Sequence, residues 1–390
     1  MPEPIWLVAV LVPLAAWAGW RLAARRYRQG NARQHRSIST NYFRGLNYLL
    51  NEQPDKAIEV FLKLAEVNSD TVETHLALGN LFRRRGEVDK AIHFHRHIMS
   101  RSNLGEQHRF QALLELGEDY MSAGLLDRAE KLFSELAADG RHSEISVRSL
   151  LSIYQQERDW KNVIIQARRL GQISGESPAV LIAQFHCEMA AEELDAGRVD
   201  GARHQLDAAR SVQPECVRAH LMEADIAVTQ SRWEDAARHY RSACELDPDI
   251  VLLIDDNLSR TFISLDREQA LLEWLHSLVE RGSNFGPALA YARVRARMEP
   301  QRAIRFLIDH LKKHPSARGL DHLLELMQRH DHGLGEIAPE LMSDLVGGMV
   351  AEQPRFRCRQ CGFSGQTWHW QCPSCRRWET TRPVGGELAQ

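Results

Sequence analysis

The chain has 390 residues, 44% hydrophobic and 26% charged, enough for a large core or an extended repeat array. Its net charge of −3 removes any global case for nucleic-acid binding. Cys187, Cys216 and Cys244 are scattered through helical patterns, where a cysteine serves as a small packing residue rather than a ligand.

In chain order, the first element is an uncharged run from Ile5 to Trp20, IWLVAVLVPLAAWAGW. Extended by Leu22, Ala23 and Ala24, it reaches the lower length limit of a membrane-spanning helix. Trp6, Trp17 and Trp20 suit its interfaces. Arg21, Arg25, Arg26, Arg28, Arg33 and Arg36 follow the apolar run, whereas a secretory signal carries its basic cluster first. The spacing predicts a transmembrane helix over 1–20 and a basic juxtamembrane segment over 21–40. The positive-inside rule places the rest of the chain on the cytoplasmic side. The competing reading is a buried soluble helix, which the charge asymmetry disfavours.

From residue 41 to 332 the chain repeats: a small residue, an Ala twelve positions on, and a large residue four beyond that. Gly45, Ala57 and Phe61 fit, as do Gly117, Ala129 and Phe133; Gly79 and Ala91 carry His95 in the third place. Leu151, Val163 and Ala167 are a degraded copy. Ala190–Ala202–Leu206, Ala224–Ala236–Tyr240, Leu258–Ala270–Trp274 and Tyr291–Ala303–Leu307 complete eight copies. The anchors lie 34, 38, 34, 39, 34, 34 and 33 residues apart. A period of 34 is that of tetratricopeptide repeats, pairs of antiparallel helices that stack into a superhelix. The expected packing has the Ala receiving the small anchor and the large residue reaching the next repeat. The two long spacings place loop insertions near 102–109 and 171–178. Such arrays hold peptides or helices of other proteins on a concave face built mostly from first helices, and nothing in the pattern says which residues form the partner site.

Three features carry less. His93 and His97 of HFHRH stand one helical turn apart, but an exposed helix face explains them better than a metal without a third ligand. Arg83, Arg84 and Arg85 sit at a repeat turn and read as solvated. Gly333–Ala338 matches a dinucleotide fingerprint on paper, yet it follows a helix rather than a strand and reads as part of a linker, 333–353, with one further helix. No catalytic motif assembles an active site, so the chain reads as a non-enzyme.

The last element, 354–382, holds two CxxC turns, Cys358-Arg-Gln-Cys361 and Cys372-Pro-Ser-Cys375, ten residues apart. Two such turns bring four thiolates around one tetrahedral metal, iron or zinc; two structural disulfides are the alternative. Gly362 suits the first turn, while Arg376 in the matching place makes the second less ideal. Phe356, Phe363, Trp368, Trp370 and Trp378 crowd the segment, and metal plus rings would substitute for a core. Arg355, Arg357, Arg359, Arg376 and Arg377 make it locally basic, but a membrane tether argues against nucleic acid.

The order of these elements resembles the lipopolysaccharide assembly protein B family of Gram-negative bacteria. The resemblance is carried by PRFRCRQCGF at 354–363, HWQCPSCR at 369–376, HLALGNLF at 75–82 with RGEVDKAI at 85–92, and GEDY at 117–120 with AGL at 123–125 and DRAE at 127–130. It implies an all-α tetratricopeptide superhelix with an N-terminal membrane helix and a rubredoxin-like tail. It also implies Cys358, Cys361, Cys372 and Cys375 as ligands of iron, with zinc fitting the same set, and a tail packed back on the repeats. The implied role is regulatory: an inner-membrane adaptor that promotes destruction of the lipid A committed-step deacetylase (LpxC) by the membrane protease FtsH, and gathers other lipopolysaccharide synthesis enzymes. A redox- or metal-sensing membrane module and a scaffold for another envelope complex are the alternatives, and the oligomeric state stays open, a homodimer included.

Overall fold

The computed structural model describes residues 21, 43–45, 47–48, 53–67, 72–101, 104–138, 143–282, 285–314, 316–329 and 354–384. The expected membrane segment, all but one residue of the juxtamembrane stretch, and the linker at 333–353 lie outside the described residues. Among the described residues no helix is long and apolar enough to cross a membrane.

The chain divides into two compact units, Met1–Asp159 and Trp160–Gln390. The first contains α1 (Pro54–Val67), α2 (Val72–Arg84), α3 (Val88–Met99), α4 (Glu106–Ser122), α5 (Leu126–Ala138) and α6 (Ser143–Glu157). The second contains α7 (Trp160–Ser174), α8 (Ala179–Asp195), α9 (Val199–Val212), α10 (Val217–Thr229) and α11 (Trp233–Leu246). A 3-10 turn (Pro248–Ile250) leads into α12 (Val251–Ser264), α13 (Glu268–Arg281), α14 (Phe285–Met298), α15 (Pro300–Lys313) and α16 (Ala317–Arg329). Three short strands follow, β1 (Phe356–Cys358), β2 (Ser364–Gly365) and β3 (Thr381–Pro383).

The repeat template has a direct steric meaning, and it differs from the expected one. The large third residue lies over the small anchor of its own repeat. A Cβ built on Gly45 would come within 2.6 Å of the Phe61 ring, and one on Gly117 within 2.5 Å of Phe133. The missing side chain is the slot that the ring fills. Phe61, Phe133, Leu206 and Tyr240 are accordingly fully buried, as are Ala57, Ala129, Ala202 and Ala236. In the seventh copy Leu258 and Trp274 are buried as the template has them, but Ala270 is exposed and the buried Leu271, one residue later, takes its place. The two insertions are only partly loops: α4 already starts at Glu106, and α7 runs to Ser174 before Gly175 turns at φ +74°.

The turn inside a repeat is a left-handed C-cap with paired hydrogen bonds. At Gly86 the N–H donates to Arg83 O (2.9 Å) and the next N–H, of Glu87, to Phe82 O (2.9 Å). The same pair recurs at Arg158, where Asp159 N donates to Tyr154 O, and at Ser231, where Arg232 N donates to Ala227 O. Both residues stand at φ +57°, where a Cβ is strained. Arg158→Gly and Ser231→Gly are each expected to stabilise the helix that the turn ends by about 1 kcal/mol, read as a raised thermal midpoint; a lowered midpoint would show that the turn is held by something other than this cap.

In the C-terminal module β1 is central and pairs antiparallel with both neighbours, Phe356 opposite Gly365 and Arg357 opposite Arg382, with an isolated bridge between Gln371 and Trp378. Its entry is gripped by α16: Arg318 donates to the carbonyls of Pro354 (2.9 Å) and Arg355 (3.3 Å).

Candidate metal centre

Strands of two or three residues cannot hold a module together alone, so its organisation has to come from the two CxxC turns. The turns are near-copies. Gly362 N donates to Cys358 O (3.0 Å) and Arg376 N to Cys372 O (2.8 Å). Cys358 N donates to Phe363 O (2.8 Å) and Cys372 N to Arg377 O (2.9 Å). Each turn closes on a left-handed residue, Gly362 at φ +77° and Arg376 at φ +55°, so the arginine takes up the glycine conformation.

The turns bring all four sulfurs within 4.8 Å of one another. Cys358 Sγ lies 3.8 Å from Cys375 Sγ, and Cys361 Sγ 3.7 Å from Cys372 Sγ. Around an ion with metal–sulfur bonds of about 2.3 Å, tetrahedral ligands sit about 3.8 Å apart, so the spacing fits one four-thiolate metal. A closed set of four thiolates suits iron or zinc and leaves no ligand position for a substrate. Among the described residues this is the one group of three or more His, Cys, Asp or Glu in reach of a common ion. His93 and His97 are exposed, and His97 stacks on His75 instead.

The surroundings favour thiolates unevenly. Desolvation pushes the Cys358 thiol up, but the Thr380 hydroxyl at 3.2 Å and the N–H groups of Cys361 and Gln360 outweigh it and bring it to about 6. The Phe363 N–H draws Cys361 down. At Cys375 the Arg377 N–H has the same effect, but desolvation and three neighbouring sulfurs push it up to about 11. Four sulfurs this close share protons, and a bound cation would displace the remaining ones.

The aromatic residues do more than surround the sulfurs; several of them carry the module onto the helices of unit 2. Trp368 and Trp370, in edge-to-face contact at 5.5 Å, pack against the core built around Tyr240, Leu258 and Leu275. Trp378 meets the buried Phe185 of α8 edge-to-face at 5.9 Å. The Arg218 guanidinium of α10 lies over both Trp370 (5.8 Å) and Trp378 (6.0 Å) while donating to Glu188 Oε1 (2.8 Å). The fully buried Gln184 donates to Glu379 Oε1 at 2.6 Å. Arg382 faces Asp247 at 3.4 Å, and Arg359 bears on Asp249, so part of the tail's positive charge is answered within the chain. None of these partners on the array was identifiable from the sequence, because each lies far from the tail in the chain.

Paired helices on a tetratricopeptide register, with a four-cysteine module seated on them, define a repeat protein bearing a rubredoxin-like metal-binding domain. Family models agree: a tetratricopeptide repeat model matches residues 44–94 and 187–249, and a rubredoxin metal binding domain model matches 356–383. A relative from Escherichia coli, lipopolysaccharide assembly protein B, is 32% identical over 382 residues, covering 97% of this chain and 98% of its own. The protein of the same name from Haemophilus influenzae is 29% identical over 394 residues, covering 98% of each. The chain belongs to the lipopolysaccharide assembly protein B family. Among solved structures, a tetratricopeptide repeat protein from Parabacteroides merdae covers 66% of this chain and 98% of its own at 12% identity and a TM-score of 0.32.

Proposed function

We propose that the chain is a non-catalytic adaptor of lipopolysaccharide assembly, tethered to the bacterial inner membrane by a helix over Ile5–Trp20 with the repeats on the cytoplasmic side. The observation that carries this reading is the four-cysteine module seated on α8 and α10, first helices of their repeats and the kind of surface on which such arrays bind other proteins. A metal at Cys358, Cys361, Cys372 and Cys375, iron or zinc, locks that module; the remaining repeat surface receives partners. The partners in this reading are the protease FtsH, the lipid A deacetylase LpxC and other lipopolysaccharide synthesis proteins. Tethering confines adaptor and membrane protease to one surface and raises their effective concentration without any new contact.

The test is deacetylase half-life in cells at matched adaptor levels. Cys372→Ser with Cys375→Ser, and separately loss of residues 1–20, are each expected to lengthen it several-fold. A half-life unchanged in both variants and in a full deletion would leave a membrane scaffold with a different client. Full activity with zinc alone in the site would dispose of a redox-sensing role for the metal.

A further inference from the structure

Two cysteines outside the metal centre are brought together by the fold. Cys187 lies in α8 and Cys216 is the N-cap of α10, in the next repeat. Both are fully buried, and their sulfurs are 3.9 Å apart. They belong to an apolar cluster with Ala183, Ala202, Leu206 and Ala219. Cys216 Sγ sits at the start of a helix, where N–H groups favour a thiolate.

The pair also lies at the seat of the four-cysteine module. Gln184 Nε2, which donates to Glu379 of the module, is 3.8 Å from Cys216 Sγ. Phe185, two residues before Cys187, holds Trp378, and Arg218, two after Cys216, lies under Trp370 and Trp378. With the module seated, these contacts flank the dithiol on both helices.

We propose that Cys187 and Cys216 are a redox-active pair that closes to a disulfide when a hydroperoxide reaches it, and that seating of the four-cysteine module controls that access. The Cys216 thiolate attacks the terminal peroxide oxygen and breaks the O–O bond, giving a sulfenic acid; the leaving oxygen takes up the proton lost by the Cys216 thiol and departs as the alcohol, or as water from hydrogen peroxide. Cys187 sulfur then displaces the sulfenic hydroxyl, which leaves as water with the Cys187 proton, and two thiols have been oxidised by two electrons. The sulfurs must close from 3.9 Å to about 2.05 Å, tying α8 to α10. The order of attack agrees with the local charges: the Cys187 thiol, with smaller help from the Ala219 N–H, draws Cys216 below the usual thiol range, while that same contact and burial hold the proton on Cys187. Unseating the module speeds disulfide formation by opening access, and it favours the disulfide at equilibrium only as far as tying α8 to α10 weakens the seat.

The experiment uses the full-length protein with zinc in excess and hydrogen peroxide as oxidant, and follows the Cys187–Cys216 link by peptide mass spectrometry after alkylation. Trp378→Ala and Glu379→Ala weaken the seat from the module side and leave α8 and α10 intact. Each is expected to form the link roughly tenfold faster than the unaltered protein, as loss of one buried aromatic or hydrogen-bonded contact raises the open population. Cys187→Ser is expected to leave Cys216 as a sulfenic acid that dimedone traps. Equal rates in all proteins would overturn control by the module, and absence of the link in all of them would overturn the pair itself. The readout is covalent chemistry on purified protein, so either result stands apart from the proposed adaptor role.

Discussion

Asp119→Ala is expected to destabilise the second and third helix pairs by about 3–5 kcal/mol, because it leaves buried donors and a charge without their partner. Asp119 is fully buried in α4. One carboxylate oxygen accepts from Arg83 Nη1 at 2.8 Å and the other from His95 Nδ1 at 2.5 Å. Arg83 also donates to Glu115 Oε2 at 2.7 Å, and its side chain is only 20% exposed, so the arginine expected to be solvated is in fact the clasp between two repeats. His95 is fully buried in the slot over Gly79 that a phenylalanine fills in the first and third repeats. The polar set therefore replaces an apolar contact, and replacing all of it should be tolerated where removing one member is not. His95→Phe with Asp119→Leu is expected to recover most of the loss, Arg83 keeping Glu115. Hydrogen exchange of amides across 72–122 reads the effect, with Asp119→Ala raising the open population roughly a hundredfold or more. A loss under about 1 kcal/mol would mean that water enters and satisfies Arg83 and His95, and that the network is incidental.

The same residues show how much of the molecule the sequence discloses. A helix pair is specified within about 34 residues, and the small–Ala–large pattern records the one steric demand each repeat makes. The CxxC turns are local too, so the sulfur set was legible before any coordinates. What was not legible is what joins one repeat to the next. Arg83 bonds residues 32 and 36 positions on, Arg218 a residue 30 back, and Arg293 bonds Asp255 38 back at 2.9 Å. Each partner lies about one period away on a neighbouring first helix. Polar residues separated by one repeat were thus the available signal, and it was masked because a charged residue at a turn usually faces water. The Cys187–Cys216 pair, 29 apart, was masked in the same way by the general rule that a buried cysteine is packing. Contacts between Gln184 and Glu379, 195 positions apart, follow no period and needed the fold.

Removing the metal is expected to release the four-cysteine module from the helices of unit 2 while leaving those helices intact. Strands of three, two and three residues bury little of their own, and the four sulfurs are what joins the two turns. Structural sites of this type contribute about 10–16 kcal/mol on metal binding, far more than a module of this size can recover from packing alone. Without the ion, the sulfurs lose the cation that justifies their crowding, and the surface carrying Trp370, Trp378 and Glu379 loses its shape. The array does not need the module in order to form helices, since the slots at Gly45, Gly79 and Gly117 and the turns at Gly86, Arg158 and Ser231 are closed by residues of the array itself. Chelation, or Cys372→Ser with Cys375→Ser, should therefore shift tryptophan emission to the red as Trp368, Trp370 and Trp378 become wet, with the helical circular dichroism unchanged. Trypsin should cut after Arg376 and Arg377 roughly tenfold faster or more, because the open module is present at all times rather than as a rare fluctuation. Arg218→Ala separates seating from metal binding: it removes the guanidinium beneath two indole rings and leaves every sulfur in place. That variant should retain stoichiometric metal yet show faster cleavage. If it loses the metal as readily as the cysteine variant, the seat holds the metal rather than the metal the seat, and the order of assembly runs from array to tail.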